Sequence, residues 1–272
     1  AYLAHDTSYF DQHIIVVSSA GGAVRDLVGG AILKGLAWLP DGSGIVYGSS
    51  LGSSLPYPPT FNLRAVDVMA SSDRQVTFGD VSHVEPDVHT SGRLLACRIR
   101  SQSDIWRFPV SGSPSQNTRE AVRITRQSGR VQTPSVSPDG SEVVYLSDSG
   151  GHANLWVAGT DGRTTRQITF EHDSGTAIGV PLWSPVRNRI AFLMTRVGES
   201  RLWVVNPDGS GLRPLETTGV FACWSGDGEW LYYSPSNERP WRIVKAPVAG
   251  GQPVPVRDDN AVAAAVSSDG SV

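Results

Sequence analysis

Short apolar runs, each closed by a turn signal, alternate along the whole chain. In the stretch SPDGSEVVYLSDSGGHANLWVAGTDG at 137–162, the Pro-Asp-Gly triplet at 138–140 predicts a turn, because proline presets φ and glycine accepts positive φ. The apolar runs 143–146 and 155–157 are rich in β-branched and aromatic residues and are too short for stable helices. The pattern therefore predicts a β-meander.

The same turn-plus-strand unit recurs along the chain with a period of 41 to 50 residues. Its copies align on Gly42, Gly92, Gly140, Arg187, Gly228 and Gly270. Counting from the last copy through the two chain ends back to the first gives 44 residues, which lies within the same range. A period of this length with four short strands per unit is typical of a β-propeller blade.

We therefore predict an all-β fold, a six-bladed β-propeller with four antiparallel strands per blade and essentially no helix. Residues 1–272 are expected to form one propeller domain, excised from a longer chain. The ring is expected to close by pairing of the N- and C-terminal segments. In that arrangement AAAVSS at 263–268 supplies the innermost strand of the blade that begins at Ala1.

Tryptophans and cysteines take repeated places on these predicted strands. The tryptophans are predicted to pack between blades, and they are Trp38, Trp183 and Trp224 on first strands and Trp106, Trp156 and Trp203 on third strands. Cys97 and Cys223 fall on different blades, so both are predicted to be free buried thiols.

The repeat also carries a family resemblance. The strings at 134–157 and 183–215 resemble the TolB-type β-propellers, in which a P-x-x-S-P-D-G turn precedes an I-A-F/Y strand and an I/L-W/Y strand. The resemblance runs the whole length and is strongest at 132–245. The segment DIWR at 104–107 looks like the form found in propellers fused to bacterial serine/threonine kinases or winged-helix regulators.

The resemblance implies a non-catalytic ligand- or protein-binding propeller, a sensory or scaffolding domain of a larger bacterial signalling protein. It implies a place on the extracytoplasmic or periplasmic side of the membrane, with the cytoplasm as the alternative. The family motif is structural and carries over no catalytic residue.

Two enzyme classes remain as alternatives: the propeller half of a prolyl-oligopeptidase-type peptidase, and a metal-dependent propeller lyase. A peptidase needs an α/β-hydrolase domain, and a lyase should gather several histidines near one channel mouth. The G-x-S-x-G match at 48–52 is interpreted as a loop, because the proline-rich residues after it cannot form the helix of a nucleophile elbow. No glycine-rich phosphate loop precedes a helix, so no cofactor is predicted.

Composition excludes two other classes of partner. Apolar residues make up 39% and charged residues 18% of the chain, as in a globular protein. A net charge of −3 argues against general nucleic-acid binding. No apolar run approaches the roughly 20 residues of a membrane span, so no membrane insertion is predicted for this segment.

The segment HVEPDVH at 83–89 is the strongest polar pattern. His83, Glu85, Asp87 and His89 alternate along a predicted first strand, so their side chains are expected to share one face. His83 and Glu85 are weak candidates for metal ligands, while a polar rim or channel lining is the favoured interpretation.

Loop lengths predict where binding occurs. The tight turns fall on one face of a propeller, and the longer loops fall on the opposite face, which is the expected site for an unknown protein or small-molecule ligand. The candidate binding residues are Tyr57, His83, Glu85, Asp87, His152, His172 and Asp173.

Overall fold

A computed structural model describes residues 1–5, 12–55, 58–196, 199–235, 240–261 and 265–266. The chain divides into two compact units, the first formed by 1–53 with 58–101 and the second by 54–57 with 102–272. That both units form one domain stays a prediction. No helix of the described residues is long and apolar enough to span a membrane.

The first unit contains three antiparallel sheets, with strand orders β1-β2-β3, β4-β5-β6-β7 and β8-β9. Their strands are β1 (Tyr2–His5), β2 (Gln12–Val17), β3 (Val24–Ala31), β4 (Leu33–Trp38), β5 (Gly44–Ser49), β6 (Asn62–Asp67), β7 (Asp73–Gln75), β8 (Ser82–Val88) and β9 (Leu94–Ile99).

The second unit contains one two-stranded sheet, β10-β11, and three four-stranded sheets, β12-β13-β14-β15, β16-β17-β18-β19 and β20-β21-β22-β23. Their elements are β10 (Trp106–Arg107), α1 (Pro114–Arg119), β11 (Val122–Arg123), β12 (Val131–Val136), β13 (Glu142–Ser147), β14 (Asn154–Gly159), β15 (Thr165–Gln167), β16 (Thr176–Trp183), β17 (Ile190–Arg196), β18 (Glu199–Val205), β19 (Arg213–Thr218), β20 (Val220–Trp224), β21 (Trp230–Ser234), β22 (Ile243–Pro247) and β23 (Val254–Arg257).

The all-β prediction is confirmed, since α1, with six residues, is the one helix of the described residues. The second, fourth, fifth and sixth repeats each form the predicted four-stranded meander. The first repeat shows three strands, and the third is divided into β8-β9 and β10-β11. Six blades and ring closure stay predictions, because 262–264 and 267–272 lie outside the described residues.

A β-bulge interrupts the first strand of five sheets. These strands are β4, β8, β12, β16 and β20. In four of them the bulge holds a residue with positive φ, and these residues are Gly35, Glu85, Thr133 and Val180. A Cβ atom at Gly35 would lie 2.6 Å from the Glu85 Cα. Gly35 therefore allows both the positive φ of the bulge and the close approach of β8.

Aromatic side chains on the second strands fill the interior. Tyr47, Tyr145, Phe192 and Tyr233 stand five residues after the aligned turn position and are almost fully buried. Large rings contribute most to burying the faces of neighbouring sheets. The third repeat has Cys97 at this place.

Tryptophan packing between sheets is found for four of the six predicted residues. Trp183 and Trp224 are buried, and the Trp224 indole N–H donates to the Leu182 carbonyl of the preceding sheet at 2.9 Å. Trp156 and Trp203 are partly buried against the cores on either side of the β12–β15 sheet.

The prediction is wrong for the other two, because Trp38 is 38% and Trp106 is 48% exposed. Both cysteines are free, as predicted. Cys97, however, is exposed rather than buried, because the described residues place no layer over β9. Cys223 is partly buried.

Candidate functional site

The predicted face of polar residues on β8 does not form. His83 pairs with Arg98, and Asp87 pairs with Leu95, across the β8–β9 ladder. Arg98 and Leu95 are three residues apart on β9, so their side chains point to opposite faces. His83 and Asp87 therefore lie on opposite faces, because the bulge at Glu85, where φ is 54°, shifts the alternation.

From the sequence, His83 and Glu85 are weak candidates for metal ligands. In the structure Glu85 and the nearby Asp87 are exposed. Within the described ranges, no three histidine, cysteine or carboxylate side chains come together as a metal site would require. His89 is used locally, since its Nδ1 accepts from the Ser91 N–H at 3.1 Å and closes the β8–β9 turn.

The other predicted residues lie in the second unit, apart from Tyr57, which falls outside the described residues. In an antiparallel meander the connections alternate between two ends of the sheet. We call the end that carries β13–β14, β15–β16, β17–β18, β19–β20 and β21–β22 the long-loop end of the second unit. The opposite end carries the tight turns and is called the short-turn end.

His152 joins two loops of the long-loop end. Its Nε2 lies 2.9 Å from the backbone carbonyl of Asp173, and its Nδ1 lies 3.1 Å from that of Ala153. Both partners are carbonyl oxygens, so the ring donates in either bond. His152 thereby connects the β13–β14 loop to the β15–β16 loop.

Glu171 organises the β15–β16 loop. Its Oε1 accepts from the N–H groups of His172 and Asp173 at 3.0 and 3.1 Å, and Arg196 donates to its Oε2 at 2.5 Å. Burial works to raise the pKa of Glu171, but these hydrogen bonds and the Arg196 charge outweigh it and hold the pKa below its usual range. The Asp173 carboxylate accepts from the Gly175 N–H at 2.9 Å.

Sequence reasoning therefore named His152, His172 and Asp173, which the fold brings together, and missed Glu171 and Arg196 as the groups that hold them. The His172 side chain is exposed and has no bond of its own among the described residues. The carboxylate of Asp173 and the ring of His152 serve loop structure, because their bonds go to the backbone.

A buried amide supports the same loop from below. Asn154 accepts from the Glu171 N–H at 2.7 Å and from the Thr169 hydroxyl at 2.9 Å. Thr169 in turn accepts from the Leu155 N–H at 2.8 Å. In the β4–β7 sheet the Thr77 hydroxyl likewise donates to Asn62 and accepts from the Leu63 N–H. The signal was available in the sequence as a threonine two residues after the outer strands β7, β11 and β15.

The proline-rich segment that follows the G-x-S-x-G match begins at Leu55. Leu55 is buried in the core of the second unit, between the β12–β15 and β16–β19 sheets. The Ser54 hydroxyl accepts from the Ala153 N–H at 3.0 Å. The segment thus begins beside His152.

A groove of about 640 Å³ opens at the long-loop end, between the β16–β19 and β20–β23 sheets. Arg201 and Thr218, which pair across β18 and β19, form one wall. Arg242 stands on the opposite wall. Sequence reasoning missed this groove.

Apolar groups complete the groove. Tyr233 and Val244 pair across β21 and β22 and continue the core that lies between the two sheets. The remaining lining residues are three prolines, Pro235, Pro253 and Pro255. None of the lining residues within the described ranges is a carboxylate or an imidazole.

The short-turn end has a smaller groove of about 280 Å³ between the same two sheets. Its arginine, Arg213, already donates to the Val248 carbonyl at 2.6 Å. The two grooves therefore differ in size and in the partners that their arginines have among the described residues.

No family model matches the chain. TolB from Acinetobacter baumannii is 16% identical, with 91% of this chain and 60% of that chain covered and a TM-score of 0.45. An oligogalacturonate lyase in complex with manganese is 14% identical, with coverages of 90% and 72% and a TM-score of 0.46. A prolyl endopeptidase is 16% identical, with coverages of 91% and 38% and a TM-score of 0.42.

The chain resembles TolB-type propellers. The resemblance carried by the repeat recurs among these structures, which include enzymes as well as TolB. Because the TM-scores are low, the sheet architecture rests on the strand pairing of the chain itself. The chain spans about 60% of TolB from Acinetobacter baumannii and 38% of the prolyl endopeptidase.

Proposed function

We propose that the chain is a non-catalytic ligand- or protein-binding propeller that engages its partner at the long-loop end of the second unit. In this proposal it is the sensory or scaffolding domain of a larger bacterial signalling protein, on the extracytoplasmic side of the membrane.

The groove between the β16–β19 and β20–β23 sheets carries the proposal. It is an open groove lined by apolar residues and framed by two arginines, a combination found in many ligand sites. General acid–base catalysis needs a carboxylate or imidazole at the reacting atoms, and the lining residues that the structure describes offer neither. Binding without chemistry is the function that this lining suits best.

The loops beside the groove support a preformed binding surface. The carboxylates of Glu171 and Asp173 accept hydrogen bonds from backbone N–H groups, and the His152 ring bonds to backbone carbonyls. Loops held in this way lose little conformational entropy when a partner binds. The exposed His172 side chain then stands on a fixed loop.

The test uses the full-length protein in its own host. A photoreactive benzoyl-phenylalanine replaces His172 or Pro240, both exposed at the long-loop end, and Asp161 or Asp208 at the short-turn end as matched controls. We expect adducts of one reproducible mass from the first two positions, identified by mass spectrometry and reproduced with the purified partner. Adducts from Asp161 and Asp208 alone would overturn the assignment.

The catalytic alternatives are tested separately. The purified chain is incubated with oligogalacturonate and manganese, and with prolyl peptides, and products are followed by chromatography. Turnover that depends on the chain would contradict the non-catalytic part of the proposal.

A further inference from the structure

We propose that the groove at the long-loop end binds a carboxylate attached to an apolar group. This inference rests on the proposed function and adds the chemistry of the ligand. It is carried by the charges, the apolar walls and the size of the groove.

The charges of the groove are not compensated within the described residues. Arg242 forms no ion pair with any of them. Arg201 contacts Glu199 at 3.4 Å, and both side chains are more than half exposed. Such an exposed pair is weak and is readily exchanged for a better anion.

Charge balance favours a monoanion. Among the described residues, the two guanidinium groups with the one carboxylate of Glu199 leave a local charge of about +1. A guanidinium presents parallel N–H donors that match a carboxylate in a bidentate pair. Lysines, which are common phosphate binders, do not line the groove.

The walls select an apolar group beside the carboxylate. Pro253 and Pro255 have no backbone N–H to offer, and Val244 continues the buried core between the sheets. An apolar wall also excludes water and strengthens a nearby ion pair. The volume of about 640 Å³ lies within the range of roughly 300 to 1,000 Å³ of small-molecule sites.

Two sources of this chemistry fit, a free small carboxylate and the C-terminus of a peptide. The probes are sodium benzoate and N-acetyl-Ala-Phe with a free carboxylate, each compared with its neutral amide. Binding to the 272-residue chain is followed by amide chemical shifts in NMR spectra. The variants are Arg242→Ala and Arg201→Ala, with Arg163→Ala as the control, since Arg163 is 85% exposed at the short-turn end.

We expect at least one acid to shift the amide signals of Thr218 and Val244, and its amide to bind at least about tenfold more weakly, as expected for the loss of one charge-assisted pair. Arg242→Ala should weaken the acid similarly, while Arg163→Ala should not. Binding of the peptide acid alone identifies a peptide C-terminus, and binding of benzoate alone identifies a small carboxylate.

The proposal is overturned if acid and amide bind equally, if Arg242→Ala leaves the affinity unchanged, or if neither acid binds at millimolar concentration. In these cases adducts at His172 and Pro240 would still support the proposed function. Their absence, together with acid binding in the groove, would contradict the proposed partner surface and leave the carboxylate site standing.

Discussion

Strands β13 and β9 hold the same place in two neighbouring repeats, yet they differ in nearly every contact. Glu142–Ser147 is buried from its second residue onward, whereas all six residues of Leu94–Ile99 are exposed. Tyr145 stands where the third repeat has Cys97, and Leu146 stands where it has Arg98. Both strands follow a turn and contain an apolar run.

The difference shows that burial comes from neighbours and not from the apolar run. β13 pairs with strands on both sides, and its two faces lie in separate cores, with Ile105 against Tyr145 and Ile178 against Leu146. β9 pairs with β8 alone. An arginine in place of Leu146 would also make such burial costly, because a charge must be desolvated.

The turns before the two strands differ in the same way. In the β12–β13 turn the Asp139 carboxylate accepts from Ser137 and from Ser141. In the β8–β9 turn Ser91 takes the place of the aspartate, and the His89 Nδ1 accepts from the Ser91 N–H. An imidazole nitrogen therefore takes the role that a carboxylate has in the β12–β13 turn.

The same substitution in the two strands tests the comparison most strongly. Leu146→Ala removes a fully buried side chain from the core between two sheets and should cost about 2 to 5 kcal/mol in the free energy of unfolding. Leu95→Ala, at a side chain that is 72% exposed, should change it by less than about 0.5 kcal/mol. Urea unfolding, followed by circular dichroism, measures both.

Equal losses for the two variants would mean that β9 is covered in solution, and the contrast would then fail. A loss at Leu146 that is far larger than at Leu95 would confirm that the equivalent strands lie in different environments.

The strands and turns could be predicted from the sequence because they repeat. Contacts that depend on the register of strand pairing could not. The polar alternation at His83 predicted one shared face, and the bulge at Glu85 divided it. Alignment with Gly35 would have indicated the bulge, since glycine stands at the equivalent position of positive φ. The groove could not be predicted from the sequence, because Arg201 and Arg242 line one groove only through the packing of two sheets.

The second prediction concerns the buried asparagine that the β4–β7 and β12–β15 sheets share. Asn154→Ala leaves the N–H of Glu171 and the hydroxyl of Thr169 without their acceptor. Such orphaned buried groups should cost about 1 to 3 kcal/mol of stability. Asn62→Ala in the β4–β7 sheet should behave alike, because Thr77 donates to Asn62 in the same way.

The measurement is urea unfolding of each variant beside Ser91→Ala, which changes only an exposed turn of the β8–β9 sheet. Neutral behaviour of both asparagine variants would show that the repeated Asn–Thr pair is dispensable.

The third prediction uses pH to separate the two turns. Hydrogen bonds from Ser137 and Ser141 lower the pKa of Asp139 to about 2, against about 3.9 in an unfolded chain. A lowered folded pKa stabilises the protein above the unfolded value, and this contribution is lost as pH falls from about 4 to about 2. Asp139→Ser, which copies the residue at position 91, should make the acid loss of stability shallower.

Asp41, Asp208 and Asp227 also have lowered pKa values, through bonds with serine side chains first of all. A single variant should therefore remove part of the acid dependence and not all of it. Unfolding at pH 6 and pH 3 gives the comparison, and an unchanged difference between the two pH values would show that the Asp139 turn does not contribute.

The smallest effect on stability, and the most direct view of β9, comes from the thiols. Cys97 is exposed on β9, while burial raises the pKa of Cys223 on β20 and lowers its thiolate fraction. Ellman's reagent should modify one thiol of the native protein quickly and the other slowly. Cys97→Ser should abolish the fast phase with a change in stability below about 0.5 kcal/mol, and Cys223→Ser should keep it. If both thiols react only after unfolding, a layer covers β9 in solution, and the third repeat is packed like its neighbours.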